Sequence, residues 1–307
     1  MNGRARADAP VARPDFIIAG AAKCGTTTLA TVLAQAPDIF MSAVKEPKFF
    51  SVPYRPHPMN GPGDERDYHA KPRTLEAYEA LFAAAAPGAI RGEASTDYLF
   101  YAQSAKDIRA TCGDIRIVII LREPVARLLS QYTHMVREGH ETLPLEEALA
   151  QEADRKAGGY QYSWLYFENG LYSERLGCFL AAFSHVEVLI FEEFFRDPVA
   201  GYNRLLDRLG SGFRFSSDDA VSGVRENVSG VPRLRLLYRL ATSRPAKSLL
   251  GLPMRIPAVK RLLRGIQHRL LRRPHMAEAT RARLAERYAE DVARVEALLG
   301  RPIEAWR

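Results

Sequence analysis

The feature that most constrains the fold is a strand, a glycine loop and a helix in direct succession near the start of the chain. Residues 15–20 (DFIIAG) are a short apolar run typical of a strand, and residues 26–36 (TTTLATVLAQA) have the spacing of a helix. Gly20 and Gly25 bracket the loop between them. Because such a loop presents several backbone N–H groups at a helix N-terminus, residues 20–28 (GAAKCGTTT) predict an anion-binding βα unit.

The position of the lysine separates this loop from the loop of nucleoside-triphosphate kinases. In the pattern G-x-x-x-x-G-K-[ST] the lysine follows the second glycine and reaches the β- and γ-phosphates. Here Thr26 occupies that position, and the only lysine, Lys23, lies inside the loop. The hydroxyls of Thr26, Thr27 and Thr28 can donate to phosphate oxygens without adding charge, and we expect Lys23 to lie over the bridging oxygen of the bound anion.

Apolar runs that alternate with helical patterns predict the rest of the architecture. Residues 115–121 (IRIVIIL) and 186–191 (VEVLIF) are typical of strands buried on both faces of a parallel sheet, and residues 89–94 predict a short strand. Helical spacing occurs between these runs, at residues 74–86, 125–137, 144–157, 173–183 and 198–209. We predict an α/β fold, P-loop-like, with three layers (α/β/α), a central parallel sheet and right-handed crossovers.

The domain organisation follows from the same pass along the chain. Residues 1–13 are predicted to be a disordered lead, and residues 14–307 to be a single domain. Its last part, residues 227–307, is basic and is predicted to be mostly helical, with a final helix that ends at Gly300.

Charge and composition restrict the partners. The net charge is +7, and there is no acidic residue between Glu226 and Glu278. Such a tract indicates an anionic partner, which can be a nucleotide, an anionic polymer, a nucleic acid or an acidic lipid. The seven histidines and three cysteines form no pattern with metal-ligand spacing, so we predict no metal.

The same residues bear on the cellular compartment. Three widely separated cysteines suit a reducing compartment. The first residues contain no apolar signal core, and no apolar run reaches the roughly 18 residues needed to span a bilayer. We therefore expect a cytoplasmic protein, with a peripheral contact to a membrane surface as one use of the basic tract.

The loop and the segment after the central strand carry a family resemblance. PDFIIAGAAKCGTTTL resembles the 5′-phosphosulfate loop of sulfotransferases that use PAPS (3′-phosphoadenosine 5′-phosphosulfate). IRIVIILREPVARLLSQY is similar to the 3′-phosphate segment of the same family, in which an arginine and a serine lie eight residues apart. The resemblance implies that Arg122 and Ser130 hold the 3′-phosphate and that Lys23 stabilises the leaving phosphate. It also implies that the loop binds the donor through Lys23, Cys24, Gly25, Thr26, Thr27 and Thr28.

Two further segments resemble the heparan-type members of this family. KEPKFF (residues 45–50) is similar to their KEP-x-FF segment, which implies that Glu46 is the catalytic base and that Lys45 and Lys48 orient the acceptor. GEASTDY (residues 92–98) resembles their GEKSP-x-Y segment, with Ala94 in place of the lysine and Thr96 in place of the proline. A second catalytic lysine is therefore absent at this point, whereas Ser95 is still expected to face the active site.

Two remaining segments have weaker matches. Tyr172 follows Gly170 as in the G-x-Y opening of a helix in the family, where the tyrosine is either near the substrate or structural. Residues 227–233 (NVSGVPR) lie where the family has its late cofactor-binding loop, which implies that Arg233 reaches the 3′-phosphate or adenine side, with Arg225 and Arg235 as substitutes. For the rest of the basic tract three roles are open: binding of an anionic acceptor, binding of membrane lipid, or only a solvated helix face.

These observations favour a PAPS-dependent sulfotransferase. It would transfer a sulfuryl group to a hydroxyl or amine of an acceptor, a saccharide, glycolipid or small metabolite, and release PAP, without a metal or nucleic acid. One alternative is a P-loop small-molecule kinase, which needs G-K-[ST] and an aspartate at the strand end where Arg122 stands. The other is a non-catalytic binder of anionic polymer or membrane through residues 227–277, which leaves the loop and Glu46 unexplained. If Glu46 is not the base, His134 and His140 are the next candidates.

Overall fold

The core of the fold is a five-stranded, all-parallel sheet. The computed structural model describes residues 12–64, 71–217, 231–232, 271–272 and 276–307. The strand order across the sheet is β2-β3-β1-β4-β5. The strands are β1 (Phe16–Gly20), β2 (Ile39–Met41), β3 (Ile90–Ala94), β4 (Arg116–Leu121) and β5 (Val186–Ile190).

Helices cover both faces of this sheet. The step from β1 to β2 runs in one direction across the sheet and the later steps run in the other, so right-handed crossovers place α1 on one face and the later crossover helices on the other. The predicted three-layer α/β/α architecture is thereby confirmed. In chain order the helices are α1 (Thr26–Leu33), α2 (Leu75–Glu79), α3 (Ser104–Cys112), α4 (Pro124–Arg137), α5 (Leu145–Ala150), α6 (Glu152–Ala157), α7 (Ser173–Ala182), α8 (Phe191–Phe194), α9 (Pro198–Leu209) and α10 (Glu278–Leu299).

The central strands are buried because their sequences are almost wholly apolar. Every residue of β1 is buried, and so is every residue of β4 after Arg116. Phe16 of β1 pairs with Gly92 of β3, where an added Cβ would lie 2.2 Å from the Phe16 ring. Glycine at position 92 therefore leaves room for the Phe16 ring, which lies where a side chain of residue 92 would be.

Most predicted elements are confirmed within a few residues. The differences occur where the position of an element in the fold determines its burial or its ends. The prediction that residues 186–191 form a strand buried on both faces is wrong in its burial, because β5 is an edge strand and only Ile190 is fully buried. The predicted helix at 144–157 is two helices that meet at Gln151, and the helix predicted at 74–86 ends early, followed by the 3₁₀ turn Ala80–Phe82. Two elements, β2 and α3, were not predicted from the sequence.

The C-terminal part is described only in pieces. Helix α10 ends at Gly300, which has the left-handed conformation (φ 67°), as predicted. The short strands β6 (Val231–Pro232) and β7 (Leu271–Arg272) pair antiparallel, so the mostly helical structure predicted for residues 227–307 does not include these four residues. The other residues of the basic tract and the predicted disordered lead, apart from 12–13, lie outside the described residues, and the single-domain prediction stays a prediction.

Candidate functional site

The loop predicted to bind an anion lies at the carboxyl end of β1, in the middle of the sheet. Gly25 precedes α1 with φ 89°, and a Cβ added there would lie 3.1 Å from the rings of both Phe191 and Phe195. Glycine is required at this position both by the backbone conformation and by the close approach of the two rings. The loop thus turns tightly into α1, whose first N–H groups have no carbonyl partner within the helix.

Lys23 lies mostly buried in this loop, with φ 71°. Burial and the nearby Arg137 charge lower the pKa of its ammonium group from 10.5 to about 8, against the opposing effect of Glu46. Within the described part of the chain the ammonium forms no ion pair with a carboxylate. A cation placed in this way is suited to an anionic ligand.

Arg122 follows directly after β4, beside the loop. Its guanidinium group lies 4.7 Å from the centre of the Phe191 ring, and its Nη1 donates to the carbonyl oxygen of Lys23 at 3.4 Å. Its buried Nε has no hydrogen-bond partner among the residues described. The next residue, Glu123, caps α4 by accepting from the N–H groups of Val125 and Ala126 at 2.7 Å each. Arg122 is therefore positioned by the Phe191 ring and by the capped start of α4, and its guanidinium group still has N–H donors available to a ligand.

Glu46 lies in a second loop, near enough to Lys23 for its charge to act on the pKa of the lysine. Its Oε2 is 3.1 Å from Nζ of Lys48, and its Oε1 accepts from the Thr96 hydroxyl at 3.2 Å. Glu46 and Lys48 both have positive φ, 49° and 56°. Two contacts from different segments thus orient one carboxylate.

A buried polar network holds the Glu46 loop against the end of β3. The backbone N–H of Lys48 donates to Ser95 Oγ at 2.9 Å, and that hydroxyl donates to Glu93 at 2.7 Å. Burial raises the pKa of the Glu93 carboxyl to about 7. Four residues after Glu93, the buried carboxylate of Asp97 lies 2.7 Å from both Ser51 Oγ and Arg55 Nη2. The residues between 93 and 97 therefore position the loop that carries Glu46.

The two loops and the start of α4 border one open cleft of about 1200 Å³. Residues from three separate segments that the sequence marked as donor-binding, catalytic or acceptor-binding line this cleft. They are Lys23, Gly25, Thr26, Thr27, Thr28, Lys45, Glu46, Lys48, Arg122 and Ser130.

Comparison with known proteins assigns this arrangement to a family. A model described as "Sulfotransferase family" matches residues 14–214. This chain belongs to the sulfotransferase family. The crystal structure of a sulfotransferase from Alicyclobacillus acidocaldarius superposes with a TM-score of 0.77 and 35% identity, over 97% of this chain and 100% of that chain.

Curated relatives of this sulfotransferase are similar over a shorter stretch. The mouse protein named heparan sulfate glucosamine 3-O-sulfotransferase 3B1 is 29% identical over 199 residues, which cover 64% of this chain and 46% of that protein. The human protein of the same name has the same identity and coverage. The chain thus spans about half the length of the curated relatives it matches.

Some predicted site residues of the sulfotransferase lie beneath the cleft rather than in it. Ser95 is fully buried in the network above. Tyr172 is 1% exposed and donates to the carbonyl oxygen of Arg122 at 3.0 Å. Neither is among the described residues that line the cleft. Ser95 contacts the backbone of Lys48 and Tyr172 that of Arg122, and the predicted substrate contacts of both stay predictions.

Two other residues predicted to bind the donor are Cys24 and Arg233. The Cys24 side chain is in the core, where burial raises the pKa of its thiol to about 11, so only its backbone is available to a donor. Arg233, like its substitutes Arg225 and Arg235, lies outside the described residues.

Several cleft residues were missed. Thr96 and Tyr162 border Glu46, and the only sequence signal was the replacement of the family's proline by Thr96. Arg137 donates to His134 Nδ1 at 3.0 Å, and burial, with Lys23 and Arg137 nearby, lowers the pKa of His134 to about 3. His134 is therefore neutral at ordinary pH.

Neither a metal-binding cluster nor a membrane-spanning helix occurs in the part of the chain that the structure describes. Among the residues that the structure describes, no group of three or more histidine, cysteine, aspartate or glutamate side chains is placed to hold a metal ion, and the predicted absence of a metal stays a prediction. No helix in the same part of the chain combines the length and the apolar character needed to cross a bilayer.

Proposed function

We propose that this sulfotransferase moves a sulfuryl group from PAPS to a hydroxyl or amine of an anionic saccharide, by in-line displacement with Glu46 as the base. The observation that carries the proposal is the convergence of Lys23, Arg122 and Glu46 on one cleft from three separate loops. The Lys23 loop and Arg122 suit a donor with two anionic groups, and the Glu46 carboxylate in the same cleft suits removal of a proton from the acceptor.

The residues of the cleft fit the charges of such a donor. Lys23 and the hydroxyls of Thr26, Thr27 and Thr28 are available to the 5′-phosphosulfate, since the described structure gives them no competing carboxylate. Arg122 and Ser130 are available to the 3′-phosphate at the start of α4. PAPS supplies the sulfuryl group and a 5′-phosphate leaving group, while the protein supplies binding and charge.

The proposed step uses Glu46 and Lys23 at opposite ends of the reacting bonds. As the acceptor oxygen or nitrogen bonds to sulfur, its proton goes to the Glu46 carboxylate, which Lys48 and Thr96 orient. At the same time the S–O bond to the 5′-phosphate breaks, and negative charge builds on the leaving oxygen. The Lys23 ammonium, itself mostly buried, stabilises that charge.

The charge of the cleft favours an anionic acceptor. Among the residues that the structure describes, its lining contains seven basic side chains and three acidic ones, Glu46, Asp64 and Glu138, of which Glu138 pairs with Arg137. The basic ones are Lys23, Lys45, Lys48, Lys71, Arg122, Arg137 and Arg281. The buried carboxylate of Asp64 already accepts hydrogen bonds from the side chains of Gln161 and Trp164 and from two backbone N–H groups. The cations are therefore in excess, and the names of the curated relatives, which specify heparan sulfate glucosamine, support a saccharide.

A phosphoryl-transfer function is not favoured. The kinase pattern needs a lysine where Thr26 begins α1 and an acidic residue for Mg²⁺ at a strand end, and β4 is followed by Arg122.

Mass spectrometry tests the proposed function directly. The wild-type enzyme and Glu46→Gln are incubated with heparan sulfate or with an uncharged oligosaccharide such as cellohexaose, each with PAPS or with ATP and Mg²⁺. Products are examined for an added sulfuryl or phosphoryl group and for PAP. We expect sulfation that depends on Glu46 and favours the anionic saccharide. Sulfation of cellohexaose alone would refute the acceptor class, and phosphorylation from ATP in place of sulfation would refute the reaction.

A further inference from the structure

We propose that Arg281, at the start of the C-terminal helix α10, is a further donor-binding residue that contacts the 3′-phosphate. This proposal rests on PAPS being the donor. It adds helix α10 to the donor site, whereas the family resemblance assigned no residue of that helix to donor binding. The first observation is position, because Arg281 lines the same cleft as Arg122 and Ser130.

The surroundings of Arg281 place it at the donor end of the cleft. Its Nη1 lies 3.6 Å from Oε2 of Glu123, the residue that directly follows Arg122. Helix α10 packs against α4, and α4 contributes Ala126, Leu129 and Ser130 to the cleft wall. The Glu46 loop, by contrast, is held by the end of β3. A ligand group bound between Arg122 and Ser130 is therefore within the region that Arg281 can reach.

The guanidinium group of Arg281 has hydrogen-bonding capacity left. A separation of 3.6 Å is longer than an N–H···O hydrogen bond, and the Glu123 carboxylate already accepts from two backbone N–H groups at 2.7 Å each. Within the described ranges Arg281 makes this ion pair and no side-chain hydrogen bond. Its side chain is 42% exposed, so it can turn towards a ligand without unfolding its surroundings.

Charge balance gives the reason for a second arginine. A phosphate monoester carries a charge of about −1.5 to −2 at neutral pH, which the single positive charge of Arg122 does not match. Guanidinium groups bind phosphate oxygens with paired N–H donors, so Arg122 and Arg281 together can neutralise the group from two sides.

The chain offers a matched control on the same helix. Arg283 lies two residues later and pairs with Glu146, whose other carboxylate oxygen accepts from the Thr280 hydroxyl. Arg283 is not among the described residues that line the cleft. The two arginines thus lie on the same helix and carry the same charge, but only Arg281 is among the described residues that line the cleft.

Calorimetry with PAP and with AMP, which lacks the 3′-phosphate, tests the assignment. We expect R281A to weaken PAP binding about 10- to 100-fold, the scale of lost charge-assisted hydrogen bonds, while AMP binding and the melting temperature stay as in the wild type. R281K should recover part of the affinity, and R283A should bind both ligands normally.

The outcomes separate the failure of the inference from the failure of the donor. If R281A binds PAP as tightly as the wild type, or loses AMP and PAP equally, Arg281 does not contact the 3′-phosphate. If the wild-type protein binds neither PAP nor PAPS, the proposed donor is wrong, and the role of Arg281 fails with it.

Discussion

Replacing Lys23 by methionine should stabilise the protein while it removes activity. The pKa of Lys23 falls from 10.5 to about 8 on folding, chiefly because the ammonium group is buried. Each pKa unit corresponds to about 1.4 kcal/mol, so keeping Lys23 protonated at pH 7 costs the fold about 3 kcal/mol. Methionine has an unbranched side chain of similar length and no charge, so Lys23→Met should raise the free energy of unfolding by up to about 3 kcal/mol.

The pH dependence of this gain has a definite sign. Between pH 8 and 10.5 the unfolded chain binds a proton at Lys23 that the folded protein has lost, so the stability of the wild type rises with pH in this window. The advantage of Lys23→Met should therefore shrink from pH 8 upwards and be absent above 10.5. Urea unfolding of both proteins at pH 7 and at pH 10 measures it.

Activity and a control complete the experiment. Turnover with PAPS should fall about 10²- to 10³-fold in Lys23→Met, the usual loss when one group that stabilises developing negative charge is removed. Lys45→Met, at an exposed lysine of the same cleft, should leave unfolding unchanged at both pH values. A destabilised Lys23→Met protein, or a gain in stability that does not depend on pH, would refute the account of a buried cation kept for an anionic ligand.

Two other substitutions separate chemistry from donor binding. Glu46→Gln should cut turnover about 10²- to 10⁴-fold with unchanged PAP affinity in calorimetry, because it removes the proton acceptor and leaves the donor loop intact; near-normal turnover would move the base elsewhere. Arg122→Ala should weaken PAP binding about 100-fold, the loss of two charge-assisted hydrogen bonds, and an unchanged dissociation constant would remove Arg122 from the site.

The parts that were predictable from sequence are those that depend on neighbours in the chain. The conformation of the Lys23 loop follows from Gly20, Gly25 and the flanking strand and helix, and Arg122 is placed by the end of an apolar strand. Helix α10 ends where Gly300 permits a left-handed residue. In each case a few consecutive residues fix the local structure.

The parts that were missed depend on contacts between distant segments. The hydroxyl of Thr96 reaches Glu46 only because β3 ends beside the second loop, and Tyr172 lies under Arg122 rather than in the cleft. The half-exposure of β5 depends on its place at the sheet edge, which its apolar sequence does not reveal. Arg281 joins the cleft only through the packing of α10 on α4.

Calorimetric titration of the wild-type protein with PAP and with ATP, each with and without Mg²⁺, tests the central claim most directly. We expect PAP to bind far more tightly than ATP and Mg²⁺ not to improve PAP binding, since Lys23 and Arg122 supply the positive charge themselves. A preference for ATP with Mg²⁺ would contradict it.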